Sequence, residues 1–130
     1  MKHKRYFEFV DECWKVPVLI VWDIYEDGFT EFIEHKYGYD VAGEHTGTGL
    51  YIRVPTDDVD VAVIAMTEVF TGTPVHYGIL AHECFHAAFD ILKDRGVKYT
   101  RSSEEAFTYF ADSLVERLAT GMLAKESKIK

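Results

Sequence analysis

His82 and His86 stand four residues apart in the run His82-Glu83-Cys84-Phe85-His86, with Glu83 beside the first of them. In a helix, residues at that spacing lie about 40° apart around the axis and one turn along it, so both imidazoles can reach one ion while Glu83 flanks them. Cys84, about 200° from His82, points away. Imidazole nitrogens suit Zn2+, and such an ion lowers the pKa of a bound water to about 7, within reach of a neighbouring carboxylate. The chemistry expected is hydrolysis by metal-activated water, with Glu83 as general base and then acid. A shuffled chain of this composition produces the pattern roughly once in forty. The elements around the motif must therefore carry the argument.

Those elements read as helices. Thr73 followed by Pro74 is an N-cap with proline at the first helical position, and Gly96 sits where a left-handed C-terminal residue is wanted, which predicts a helix from about 74 to 95. Leu80, Cys84, Ala87 and Ile91 form one apolar strip and Ala81, Phe85, Ala88 and Leu92 another, so this helix is expected to be largely buried. His82, Glu83 and His86 would then be polar groups in an interior, which is costly unless something coordinates or hydrogen-bonds them. The competing reading is a pair of core histidines satisfied by an acidic partner. Ser102 and Glu105 have the form of a capping box, and Phe107, Phe110, Ala111, Leu114 and Leu118 give a second long helix an apolar face ending near Gly121. The tail from Lys125 to Lys130 reads as polar and frayed.

The first half reads as strands. Tyr6 to Val10 and Val16 to Tyr25 should pair, Asp27 to Tyr37 has helical spacing with Gly38 as its stop, and Gly43 to Gly49, through His45, is turn chemistry. Leu50 to Val54 is a strand closed by Pro55 and the acidic turn Asp57-Asp58, and the β-branched content of Val59 to Phe70 favours another. Strands followed by helices imply an α+β fold, taken as one domain over residues 1–130. The segment Val61 to Val69 is the candidate sheet edge against which an extended peptide would lie, the alternative being an interior strand or a helix.

A catalytic zinc takes three protein ligands and keeps a fourth position for water. Here the chain resembles the gluzincin clan: His82-Glu83-x-x-His86 is followed after 18 residues by Glu105 in Glu104-Glu105-Ala106-Phe107. The Glu-small-aromatic sequence is similar to the Asn-Glu-Gly-Phe segment of aminopeptidase-N-like enzymes, and the short chain resembles minimal gluzincins and small metallopeptidase-like proteins encoded by phages. The resemblance covers about Pro74 to Leu118. It implies a zincin-like architecture, a twisted sheet with a backing helix, then an active-site helix and a glutamate helix, with His82, His86 and Glu105 as zinc ligands.

The chain departs from the clan's pattern at two places. Glu104 replaces the usual asparagine, and Tyr109 stands four after Glu105, where thermolysin-like members place an aspartate that supports a zinc histidine. Asp112 is the candidate for that supporting role, set against a plain solvated face made of Glu105, Tyr109, Asp112 and Glu116. The helical wheel prefers Glu104 as third ligand, about 60° from Phe107, whereas Glu105 lies about 160° away. An oxyanion stabiliser is also required, and Tyr109, Tyr99, Arg101 and His76 are near by chain proximity, with Tyr109 preferred. His3, His35 and His45 lack partner spacing and read as surface residues. Asp90, one turn past His86, reads equally as a buttress or as a solvated side chain.

Composition narrows the classes. The 22 acidic residues against 14 basic leave a formal charge of −8, which disfavours nucleic acid and anionic membranes as partners. No apolar run approaches the roughly 20 residues needed to span a bilayer, no export signal is evident, and two cysteines, Cys13 and Cys84, without a spaced framework point to free thiols in the cytoplasm. Aspartates 57, 58 and 60 lack the glycine and terminal glutamate of a calcium loop. A peptide deformylase is disfavoured because no Glu-Gly-Cys-Leu-Ser segment supplies its cysteine ligand. The leading expectation is a zinc metallopeptidase with a peptide or protein substrate. The other is a zincin domain with little turnover that binds a protein partner, since one small domain supplies only one wall of a substrate cleft.

Overall fold

The computed structural model describes residues 2–44 and 47–129, so His45 lies outside the described residues. The order is β1 (Tyr6–Asp11), β2 (Val16–Val21), α1 (Glu26–Tyr37), β3 (Gly49–Val54), β4 (Val61–Met66), α2 (Pro74–Asp94) and α3 (Glu104–Ile129). The fold is α+β, a four-stranded mixed sheet with three helices, and no helix is long and apolar enough to cross a membrane.

Strand order is β1-β2-β4-β3. β1 and β2 pair antiparallel, with Phe7 opposite Ile20 and Phe9 opposite Val18, as their adjacency in sequence suggests. β2 and β4 run parallel, with Val18 opposite Ala62, and β3 closes the far side antiparallel to β4, with Leu50 opposite Ala65. Side chains alternate between two cores. Val18, Ile20, Ala62, Ile64 and Met66 pack under α2 and α3, while Leu19, Val21, Val61, Val63 and Ala65 pack against Phe29, Phe32 and Ile33 of α1.

This arrangement corrects the assignment of Val61 to Val69 as the sheet edge. β4 is flanked by β2 and β3 and covered on both faces, so all six of its residues are buried. A strand wrapped on both faces reads as an unbroken apolar run, which is the composition of Val61 to Met66. The edge on the side of the motif is β3.

The second half holds two further corrections. The box between Ser102 and Glu105 does not form: the Ser102 hydroxyl meets that of Thr100, Ser103 Oγ donates to the Lys98 carbonyl, and α3 starts at Glu104. Nor does α3 stop near Gly121 or leave a frayed tail, for it runs to Ile129 with Met122 and Glu126 buried. Gly121 is in the helix because the Phe7 ring of β1 rests on it; a Cβ there would collide with ring atoms Cγ, Cδ2 and Cε2. Alanine favours a helix interior by about 1 kcal/mol over glycine, yet Gly121→Ala is expected to lower stability by about 1–2 kcal/mol because overpacking outweighs propensity. A thermal melt checks this, and a rise in Tm would show that Phe7 yields freely.

Candidate metal centre

α2 begins as its sequence suggests. The Thr73 side chain accepts the His76 backbone N–H at 3.2 Å, and Gly96, with φ +82°, turns the chain after the helix. His76 stands in the first turn of α2 and is buried there, being 8% exposed, and its Nδ1 accepts the Thr71 N–H at 3.0 Å. His3 is also engaged, with Nε2 2.9 Å from the Trp22 carbonyl.

The buried face of α2 consists of Leu80, Cys84, Ala87, Ala88, Ile91 and Leu92, and the motif straddles its border. Glu83 is buried at 7% exposure, whereas His82 and His86 are exposed, so the expected interior placement of the two histidines is corrected. The second apolar strip is only half covered: Ala88 and Leu92 are buried, Ala81 is exposed, and Phe85 remains 50% exposed. Cys84 points into the core, where burial pushes its thiol up to about 12, leaving it no part as a ligand in the cleft.

Across the cleft mouth the two imidazoles converge. Their Nε2 atoms lie 3.2 Å apart with the rings edge to face. Two Zn–N bonds at a tetrahedral angle separate their nitrogens by about 3.3 Å, so the spacing of the pair, which without an ion is that of a hydrogen bond between the two rings, matches the spacing of two ligands on one ion. Glu83 occupies the cleft with them, and burial lifts its carboxyl above the ordinary value despite the opposing pull of His82 and His86.

β3 forms the opposing wall. Gly49 faces Glu83 so closely that a Cβ would come within 2.9 Å of Ile79 Cγ2 and 3.1 Å of Glu83 Cγ and Oε2. Only glycine lets the strand end approach the carboxylate this far. Two residues on, and therefore on the same face, Tyr51 donates to Asp90 Oδ2 at 2.6 Å. Arg53 grips the same carboxylate from Nε at 3.0 Å and Nη2 at 2.7 Å, and its Nη1 reaches Asp94 at 2.9 Å. Asp90 thus fastens the edge strand to the motif helix. Sequence reasoning missed Tyr51 and Arg53; their alternation after Gly49 on a strand was the signal available.

Burial alone would raise the Asp90 carboxyl, but the bonds from Arg53 and Tyr51, with the charges of Arg53 and Lys93, hold it below the usual range. A lowered folded-state pKa contributes stability that is present above the unfolded value near 3.9 and is lost as pH falls through the folded value. Asp90→Asn is accordingly expected to be less stable than wild type near pH 6, with the gap closing below about pH 4. Denaturant melts across that range measure it; a gap independent of pH would remove the carboxylate from the account.

Residues assigned from α3 are not brought to this cleft. Its walls are Gly49, Leu50, Tyr51, His82, Glu83, His86 and Asp90, and among the described residues no third His, Cys, Asp or Glu completes a three-ligand cluster with the histidines. Glu104 and Glu105 are exposed in the first turn of α3, Tyr109 is 70% exposed, and Asp112 and Glu116 face solvent beside them. The stripe from Glu105 to Glu116 is a solvated helix face in this structure. Comparison of the chain with protein-family models, with curated proteins and with solved structures finds no match to any of them.

Proposed function

We propose that the protein is a zinc-dependent peptidase of gluzincin type. The observation that carries the reading is the convergence of His82 and His86 Nε2 at 3.2 Å with buried Glu83 in the same cleft. His82 and His86 would hold the ion; the resemblance alone assigns Glu105 as third ligand, and in this structure Glu105 is not among the walls of the cleft. When bound, the ion supplies Lewis acidity that makes water a usable nucleophile near neutral pH. Glu83 takes the proton of that water on its carboxylate and passes it to the departing amine.

The substrate is an extended peptide lying along β3. That strand borders the cleft and has β4 on one side only, leaving backbone groups on the other side free to pair with a peptide added as a strand. Tyr51 and Arg53, anchored on Asp90, keep the strand in register with α2. The zincin-like reading is supported by the sequence of sheet, motif helix and following helix. A cytoplasmic setting accords with the free thiols of Cys13 and Cys84. The second reading, a protein-binding domain with little turnover, is favoured by the one observation that no third ligand joins the pair among the described residues.

Metal content by mass spectrometry, on protein purified without added metal, tests the proposal. One zinc per chain is expected, and His82→Ala or His86→Ala should abolish stoichiometric zinc; full zinc in both variants would sink the assignment. Titration against a competing chelator then ranks Glu105→Gln and Glu104→Gln. The true ligand should weaken affinity by well over about tenfold, the low end of losses seen even for groups that only orient a ligand. A larger loss at Glu104 would mean that the correspondence is out of register by one residue.

A further inference from the structure

Beside the histidines, on the side of α2 away from β3, three aromatic rings meet. Phe89 lies 5.0 Å from Tyr99 and 4.8 Å from Phe107, and Tyr99 lies 5.0 Å from Phe107, centroid to centroid. With Lys93, Val97 and Lys98 they wall a cavity of about 440 Å³, a volume ordinary for a small-ligand pocket. The walls are held in place: Val97 N–H bonds the Leu92 carbonyl at 2.9 Å, and Ser103 Oγ bonds the Lys98 carbonyl. Tyr99 nonetheless remains 52% exposed, and the ring of Phe85, 4.6 Å from Phe89, extends the apolar surface toward His86.

Two features say what the cavity would receive. Its interior is aromatic, and its rim carries Lys93 and Lys98, whose side chains make no hydrogen bond or salt bridge among the described residues, although the charge of Lys93 is also felt by Asp90. In a chain with eight more acidic than basic residues, two such cations beside one apolar cavity favour an anionic group in a ligand. The β3 side of the cleft is different, because the charge of Arg53 is met there by Asp90 and Asp94. Helical pitch supplies the spacing. Phe89 projects about 20° from His82 and Lys93 about 20° from both histidines, at about 4.5 Å and 10 Å along the axis from His86. An extended peptide advances about 3.4 Å per residue, so along the axis of α2 the cavity stands one or two residues from the histidines and Lys93 about one residue farther.

We propose that this cavity is a specificity site for a large apolar side chain next to a carboxylate, selecting peptides in which an aromatic or long aliphatic residue is followed by an acidic residue or by the free C-terminus. The proposal rests on the peptidase reading for its role in cleavage, but binding itself can be read without turnover.

The experiment titrates the intact protein with N-acetyl-phenylalanine, its uncharged amide and N-acetyl-glycine, following backbone amide resonances of Gly96, Val97 and Tyr99 by NMR. The acid should bind at millimolar concentration or better and about fivefold more tightly than the amide, the preference a partly exposed ion pair supports. N-acetyl-glycine should leave those resonances unmoved. The double variant Lys93→Glu with Lys98→Glu should abolish or reverse the preference for the acid, while Tyr99→Ala should weaken acid and amide alike. Equal affinity for acid and amide, shifts confined to other parts of the chain, or no binding by either phenylalanine probe would overturn the proposal. Because the readout needs no hydrolysis, binding in a protein that cleaves nothing would uphold the cavity and defeat only the peptidase reading.

Discussion

Glu83→Gln is expected to keep zinc bound while lowering peptide hydrolysis by at least about a hundredfold, the lower range for a general base. Glutamine has the same length and shape, so packing against Gly49 and Ile79, where space is measured in tenths of an ångström, is undisturbed. What changes is proton affinity, for an amide oxygen cannot hold the proton between water and leaving amine. Wild type and variant are compared on a peptide library with metal content measured in parallel. Equal activity in both excludes Glu83 as base. No activity in either, with zinc tightly held, would move the assignment to the binding domain.

The second large effect lies far from the cleft. Glu126, 6% exposed near the end of α3, accepts from Arg5 Nε at 2.6 Å and Nη2 at 3.2 Å, and from Trp22 Nε1 at 2.7 Å. These bonds tie the end of α3 to the chain ahead of β1 and to the residue after β2. Glu126→Ala should cost about 3 kcal/mol, roughly a 10 °C fall in Tm for a chain of this size. Arg5, 26% exposed, can turn to water after the loss, which keeps the cost from being higher, but Trp22 is fully buried and its N–H would be stranded. Chemical denaturation measures the difference. A change under about 1 kcal/mol would mean that water replaces the carboxylate without penalty.

The frayed tail expected from Lys125 to Lys130 shows why such a contact escapes a reading of the chain. A helix end is judged from neighbours in sequence, and those neighbours are polar; the residues that hold it, Arg5 and Trp22, are more than a hundred positions away. Gly121 poses the same problem. In sequence it marks an end, and only the Phe7 ring resting on it makes glycine a requirement of a continuing helix.

What the sequence by itself determined is local. The pitch of a helix set His82 and His86 on one stripe with Glu83 beside them; Thr73, Pro74 and Gly96 bounded that helix; and alternation and β-branching marked the strands. Such features depend on residues within a turn or two of one another, where backbone geometry leaves few choices. Tertiary structure decided the rest. It made β4 interior and β3 the edge, set Gly49 against Glu83, joined Tyr51 and Arg53 to Asp90, left the histidines open to the cleft, and kept Glu105, Tyr109 and Asp112 out of its walls. Each of those outcomes depends on which strand pairs with which and on how a helix is turned about its own axis. Both follow from the total burial of two cores, a quantity no short stretch of residues contains.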